Sequence, residues 1–109
     1  MVGIDDAMSI LSGKWKFHIL AALIGIGKMR FTDLRRKVLG IGTKMLSKEL
    51  QDLEMNQLIS RTVKRTKPLS VEYEITTYGR TLEHIITEIA DWGIEYRNAI
   101  RKSDATKVV

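Results

Sequence analysis

Apolar positions return along this chain first with the period of a helix, then with that of a strand, then with that of a helix again. Trp15, Ile19, Ala22, Leu23 and Ile26 form one stripe, and Phe17, Leu20 and Ile24 fill much of the remaining circumference. From Lys14 this predicts a helix buried on more than one side and ended by Gly25-Ile26-Gly27. Ahead of it, residues 5–11 form a shorter helical candidate with apolar Ala7, Met8 and Leu11, opened by Asp5-Asp6 and stopped near Ser12-Gly13. Phe31, Leu34 and Val38, spaced i, i+3, i+7, predict a third helix that starts near Thr32, stops at Gly40 and turns Arg35, Arg36 and Lys37 outward. Thr43 suits an N-cap, since its hydroxyl can accept an orphan amide, and opens a fourth helix that ends near Asn56-Gln57. The period then falls to two: Ile59, Val63, Val71, Tyr73 and Ile75 alternate with polar residues over 58–64 and 71–75. The connection "RTKPLS" holds Pro68, which cannot donate to a ladder, so a hairpin with a basic tip is expected. Thr76 or Thr77 caps a last helix with Tyr78, Leu82, Ile85, Ile86, Ile89, Trp92, Gly93, Tyr96 and Ile100 along one side.

The expected fold is mainly α with a small β-hairpin, in one domain over residues 1–102. The last helix occupies 77–102, and residues 103–109 form a flexible tail. One small body cannot cover seven turns of apolar stripe. Because exposed apolar stripes mark interfaces, the far half is expected to join two copies of the chain, with Met8, Leu11, Ile86, Ile89, Trp92 and Tyr96 at the contact.

The fourth helix, within "GIGTKMLSKELQDLE" at 40–54, has two opposed faces. At 100° per residue, Leu50 and Leu53 lie within about 40° of Leu46, while Lys44, Lys48, Gln51 and Met55 lie between about 140° and 200°. Leucines hold one side to a core. The other side carries donors and positive charge.

Charge sharpens the picture. Between Lys28 and Lys67 eleven basic residues face four acidic ones, a net of +7, which leaves −2 for the flanks of a chain whose total is +5. So concentrated a block suits a polyanion, because neutralising phosphates releases counterions. With 44% hydrophobic and 28% charged residues the composition is that of an ordinary folded domain. No apolar run reaches the roughly 18 to 20 residues of a membrane helix and no secretion signal is evident, so the cytoplasm is the expected location. The absence of cysteine removes thiolate, disulfide and cysteine-zinc chemistry.

Three helices, the last with a cationic outer face, followed by a hairpin with a basic tip, make the winged variant of a helix-turn-helix. A major groove about 12 Å wide admits one helix whose outer face is rich in donors. Thr43 and Lys44 gather donors at the end that enters the groove. Ser47 and Gln51 suit base edges, Lys44 and Lys48 suit bases or phosphates, and Lys64, Arg65 and Lys67 suit the backbone or a minor groove. Arg30, Arg35 and Arg36 are candidates for flanking phosphate contacts. The expected partner is double-stranded DNA.

"GKWKFHIL" at 13–20, "RFTDLRRKVLGIGTKMLSKELQDLE" at 30–54, "LISRTV" at 58–63 and "VEYEITTYGRTL" at 71–82 resemble the HxlR family of winged helix-turn-helix transcription regulators. The resemblance covers almost the whole chain. It implies a homodimer joined by its N- and C-terminal helices, an inverted-repeat operator, a groove-reading segment at 43–51, a wing at 64–70 and no cofactor. Many members carry a cysteine ahead of the first helix, and some sense oxidants or electrophiles with it; this sequence offers none for such a switch.

Three rival readings carry less. His18 and His84 stand far apart without a metal-ligand spacing, nucleophile or phosphate loop, so no enzyme and no metal site is expected. A winged helix that binds protein instead of DNA would present an acidic or apolar outer face, whereas Glu49, Asp52 and Glu54 only flank this one. Trp15 and Trp92 admit a pocket for a small apolar effector, but both sit on apolar stripes, where core or interface is the plainer account.

Overall fold

The structure, a computed structural model, describes residues 1–65 and 67–107, with backbone alone for 104–107. Helix α1 (Val2–Leu11) leads to α2 (Lys16–Gly25), the two-residue strand β1 (Met29–Arg30), α3 (Phe31–Lys37) and α4 (Thr43–Met55). Strands β2 (Ile59–Lys64) and β3 (Ser70–Ile75), a 3-10 turn (Gly79–Leu82) and α5 (Glu83–Lys107) complete it. The antiparallel sheet has the order β1-β3-β2. Its register sets Ile59 opposite Ile75, Arg61 opposite Tyr73 and Met29 against Tyr73 from the other side.

Ile19, Leu20 and Leu23 of α2, Leu34 of α3 and Leu46 and Leu53 of α4 are fully enclosed, and Leu50, Ile59, Tyr73 and Ile75 close the same core. Burying each leucine of the α4 row contributes about 1.5–3 kcal/mol, so the row decides which side of that helix points inward. The turn between α3 and α4 runs through Gly40 at φ 90, a region open to glycine at little cost. Buried Val38 and Ile41 anchor it on either side.

Helix α4 ends in a Schellman motif: the Leu58 amide donates to the Leu53 carbonyl at 3.0 Å and the Gln57 amide to the Glu54 carbonyl at 2.9 Å. Leu53 and Leu58, the pair such a motif brings together, are both buried. Its left-handed position holds Gln57 at φ 62, where glycine would be unstrained. Beyond β3, the Thr76 hydroxyl accepts the Gly79 amide at 2.9 Å, in the manner of an N-cap, and lies 2.7 Å from the Gln57 carbonyl. Gly79 is buried there, and only glycine fits, because a Cβ would collide with the Leu58 carbonyl oxygen and come within 2.7 Å of Ile75 Cδ1.

Several boundaries differ from the sequence reading. Strand β1 is too short to show a period, and its partner lies more than forty residues away, so a hairpin was expected where a three-stranded sheet forms. Gly42, not Thr43, is the N-cap residue of α4, and no side chain caps it; Thr43 is the first helical residue. Helix α5 begins after the 3-10 turn and runs to Lys107, past residue 103 where the tail was expected, while Thr66 of the wing connection and residues 108–109 lie outside the described residues.

Leu82 and Ile86 pack on the core, after which every side chain from 87 to 103 is exposed. The radius of gyration is 16.9 Å, against about 13 Å for a compact domain of this size. The difference reflects α5 projecting from the body.

Candidate nucleic-acid interface

The α3-turn-α4 unit presents Thr43, Lys44, Ser47, Lys48 and Gln51 to solvent while Leu46, Leu50 and Leu53 face the core. Lys44 and Lys48 make no ion pair among the described residues. Their charge and the amides of the first turn of α4 therefore point outward together, as a helix entering a groove requires.

On the inner flank of the same helix lies a contact that periodicity did not reveal. Lys16 Nζ donates to Glu49 Oε2 at 2.7 Å and lies 3.5 Å from Asp52 Oδ2, with the Lys16 and Glu49 side chains 10% and 8% exposed. Burial works against the charge on Lys16, but the hydrogen bond and charge of Glu49, with Asp52 nearby, outweigh it and hold the ammonium above the usual lysine range. Glu49, read in the sequence as an acid flanking the outer face, is thus drawn into the core, while Asp52 stays partly exposed beside it. The available signal was a lysine in the first turn of a mostly apolar helix, at the end where a helix dipole disfavours a cation.

On the other flank, Ser47, Gln51 and Glu54 of α4 and Arg61 and Tyr73 of the sheet line a polar cleft of about 320 Å³. Arg61 was counted among the basic residues but given no role. Strand alternation puts it on the side of Ile59, facing the helices, yet it is exposed and has no ion pair among the described residues.

The wing and the third helix divide the remaining candidates. Arg65 and Lys67 are exposed, with no ion pair among the described residues. Lys64 is held 3.1 Å from Glu72, which also lies 3.9 Å from Lys28. Asp33 takes Arg30 at 3.4 Å and Arg36 at 3.8 Å, whereas Arg35 is exposed with no ion pair among the described residues. The structure thus leaves Arg35, Lys44, Lys48, Arg65 and Lys67 available, adds Arg61, and partly occupies Arg30, Arg36 and Lys64.

Of the residues expected at a dimer contact, Met8 on α1 is 47% exposed, and Ile89, Trp92 and Tyr96 on α5 are 48%, 65% and 54% exposed. Trp92 and Tyr96 stack with centroids 5.3 Å apart and planes 9° from parallel. Leu11 is different. It is 6% exposed, sunk in the core of its own chain, and Ile86 is partly buried there too, so both offer a partner little surface. Trp15 packs against the core, while Trp92 lies out on α5. Among the described residues no cluster of three metal-ligating side chains occurs. His18 and His84 are exposed, and among the described residues no helix is long and apolar enough to cross a membrane.

The family model of HxlR-like helix-turn-helix proteins matches residues 10–101. The chain belongs to that family. Two relatives from Bacillus subtilis (strain 168), both described as uncharacterized HTH-type transcriptional regulators, support it. YdeP is 38% identical over 104 residues, spanning 95% of this chain and 80% of its own. YtcD is 36% identical over 99 residues, spanning 91% and 78%. Among solved structures, the HTH-type regulator ytcD superposes with a TM-score of 0.83 at 38% identity, covering 90% of this chain and 99% of its own. The redox regulator HypR in its reduced form gives 0.83 at 33%, covering 92% and 98%. This HxlR-like protein is therefore a winged helix-turn-helix transcription regulator, a class that implies DNA binding, and not an enzyme.

Proposed function

We propose that this protein is a homodimeric, sequence-specific binder of double-stranded DNA whose two α4 helices enter successive major grooves about 34 Å apart at an inverted repeat. The observation that carries the reading is the opposition on α4: a fully buried leucine row on one side, an exposed donor and cation face on the other. Ser47 and Gln51 read base edges, Lys44 and Lys48 serve bases or phosphates, Thr43 adds a donor at the entering end, and Arg65 and Lys67 hold the flanking backbone. Arg61 joins them as a phosphate contact beside the groove. Arg35 lies on the adjoining helix, and Arg30, Arg36 and Lys64 contribute less because carboxylates already share them. The exposed stripe of Ile89, Trp92 and Tyr96 on α5 supplies the dimer contact, with exposed Met8 of α1 contributing to it.

HypR is titled a redox regulator; the 109 residues here contain no thiol, so cysteine oxidation is not the signal this chain reads. Cytoplasmic location fits a regulator of transcription.

Affinity for a mixed pool of duplexes, measured at two salt concentrations, tests the proposal. A steep fall with salt is expected, because each neutralised phosphate adds about −0.9 to the slope of log K against log salt. Affinity indifferent to salt would overturn it and favour a winged helix that docks on protein. Selection from a random duplex library should return an inverted repeat.

A further inference from the structure

Lys16 is the one buried cation among the described residues, and its position is costly. It opens α2, in "KFHILAALIG", where the helix dipole disfavours positive charge. Exchanging a buried ion pair for apolar groups of similar size is often neutral or stabilising, because desolvation offsets the Coulomb attraction. Stability is therefore a poor reason for it. What the pair supplies is direction.

Leu46, Leu50 and Leu53 hold α4 through apolar contacts, which resist a small roll of the helix about its axis only weakly. A roll of about 20° moves a side-chain tip at a radius of about 6 Å by about 2 Å. That exceeds the whole window of hydrogen-bond lengths, so base reading by Ser47 and Gln51 depends on a fixed roll. Glu49 and Asp52, three residues apart, converge on one Nζ at 2.7 and 3.5 Å. They lie on the flank of α4 away from Ser47 and Gln51, and α2, which supplies the ammonium, is held in the core by Ile19, Leu20 and Leu23.

We propose that Lys16 is a positioning residue, whose buried pair with Glu49, steadied by Asp52, sets the roll of α4 and so the register in which Ser47 and Gln51 meet base edges. This rests on the DNA-reading role proposed above.

The test starts with a duplex selected by the parent protein from a random library. Dissociation constants are then measured for that duplex and for a scrambled one of equal composition, with the parent, with Lys16→Met/Glu49→Leu and with Glu49→Asp. The double variant removes both charges at similar volume; the single one keeps them but shortens one arm. Circular dichroism and thermal melts establish which variants fold. The folded variants should bind the scrambled duplex within about twofold of the parent while the selected-to-scrambled ratio falls by about tenfold or more. A folded variant that keeps the parental ratio overturns the proposal, as does one that loses affinity for both duplexes equally. If the parent itself selects nothing, the DNA-reading role fails, and this inference with it.

Discussion

Arg61 and Tyr73 stand opposite each other across the β2–β3 ladder, and both line the cleft that also holds Ser47 and Gln51 of α4. This places an arginine without an ion pair among the described residues at the seam between α4 and the wing strands, where the proposed binding mode would bring a phosphate backbone. Arg61→Ala is expected to weaken binding to all duplexes alike and to lower the salt slope by about two for a dimer, one per subunit. An unchanged slope would remove Arg61 from the interface.

Gln51 should behave differently. Its exposed amide lies beyond the core leucines with no hydrogen bond of its own among the described residues, so Gln51→Ala, or a change at Ser47, is expected to alter the selected sequence at defined positions. Each lost base contact costs about 1–3 kcal/mol of discrimination. Arg65→Ala and Lys67→Ala are expected to weaken binding without changing that preference. A Gln51 variant that selects the parental sequence would contradict this division.

The apolar half of α5 is exposed over a length one chain does not cover. Ile89→Glu puts a carboxylate at its centre, where burial without a partner costs several kcal/mol. Sedimentation should then show monomers, and operator affinity should drop with them. A variant that sediments as the parent does would exclude this stripe as the contact.

Gln57 at φ 62 occupies the glycine position of the Schellman turn after α4. A left-handed conformation costs a non-glycine residue about 1–2 kcal/mol, partly offset by the greater unfolded-state freedom of glycine. Gln57→Gly should therefore stabilise the fold by about 0.5–1 kcal/mol, visible as a raised denaturant midpoint at unchanged slope. A lowered midpoint would mean that the Gln57 side chain contributes more than its backbone strain costs.

The Lys16 pair also predicts a response to alkali. The folded-state pKa of Lys16 lies above its ordinary value of 10.5, so the stability linked to it is fully present below that value and is lost as pH rises through the raised one. Denaturation from pH 9 upward should show this loss in the parent and lack it in Lys16→Met/Glu49→Leu. Parallel pH profiles would show that the pair contributes no linked stability.

Much of this architecture was readable from the sequence alone. Leu46, Leu50 and Leu53 repeat with the turn of a helix, and Ile59, Tyr73 and Ile75 keep the alternation of a half-buried sheet; both patterns report how one residue sits relative to its near neighbours. They therefore located the outer face of α4, the hairpin and the apolar stripe of α5. Nothing local told that Glu49 would meet Lys16 thirty-three residues away, that Met29 would pair with Tyr73, that Glu72 would take Lys64, or that Leu11 would sink into its own core. Those contacts depend on where separate elements arrive once the core has closed. A periodic pattern fixes only the angle of a side chain about its own axis, whereas an ion pair or a strand partner also needs the distance to another element, which packing alone sets.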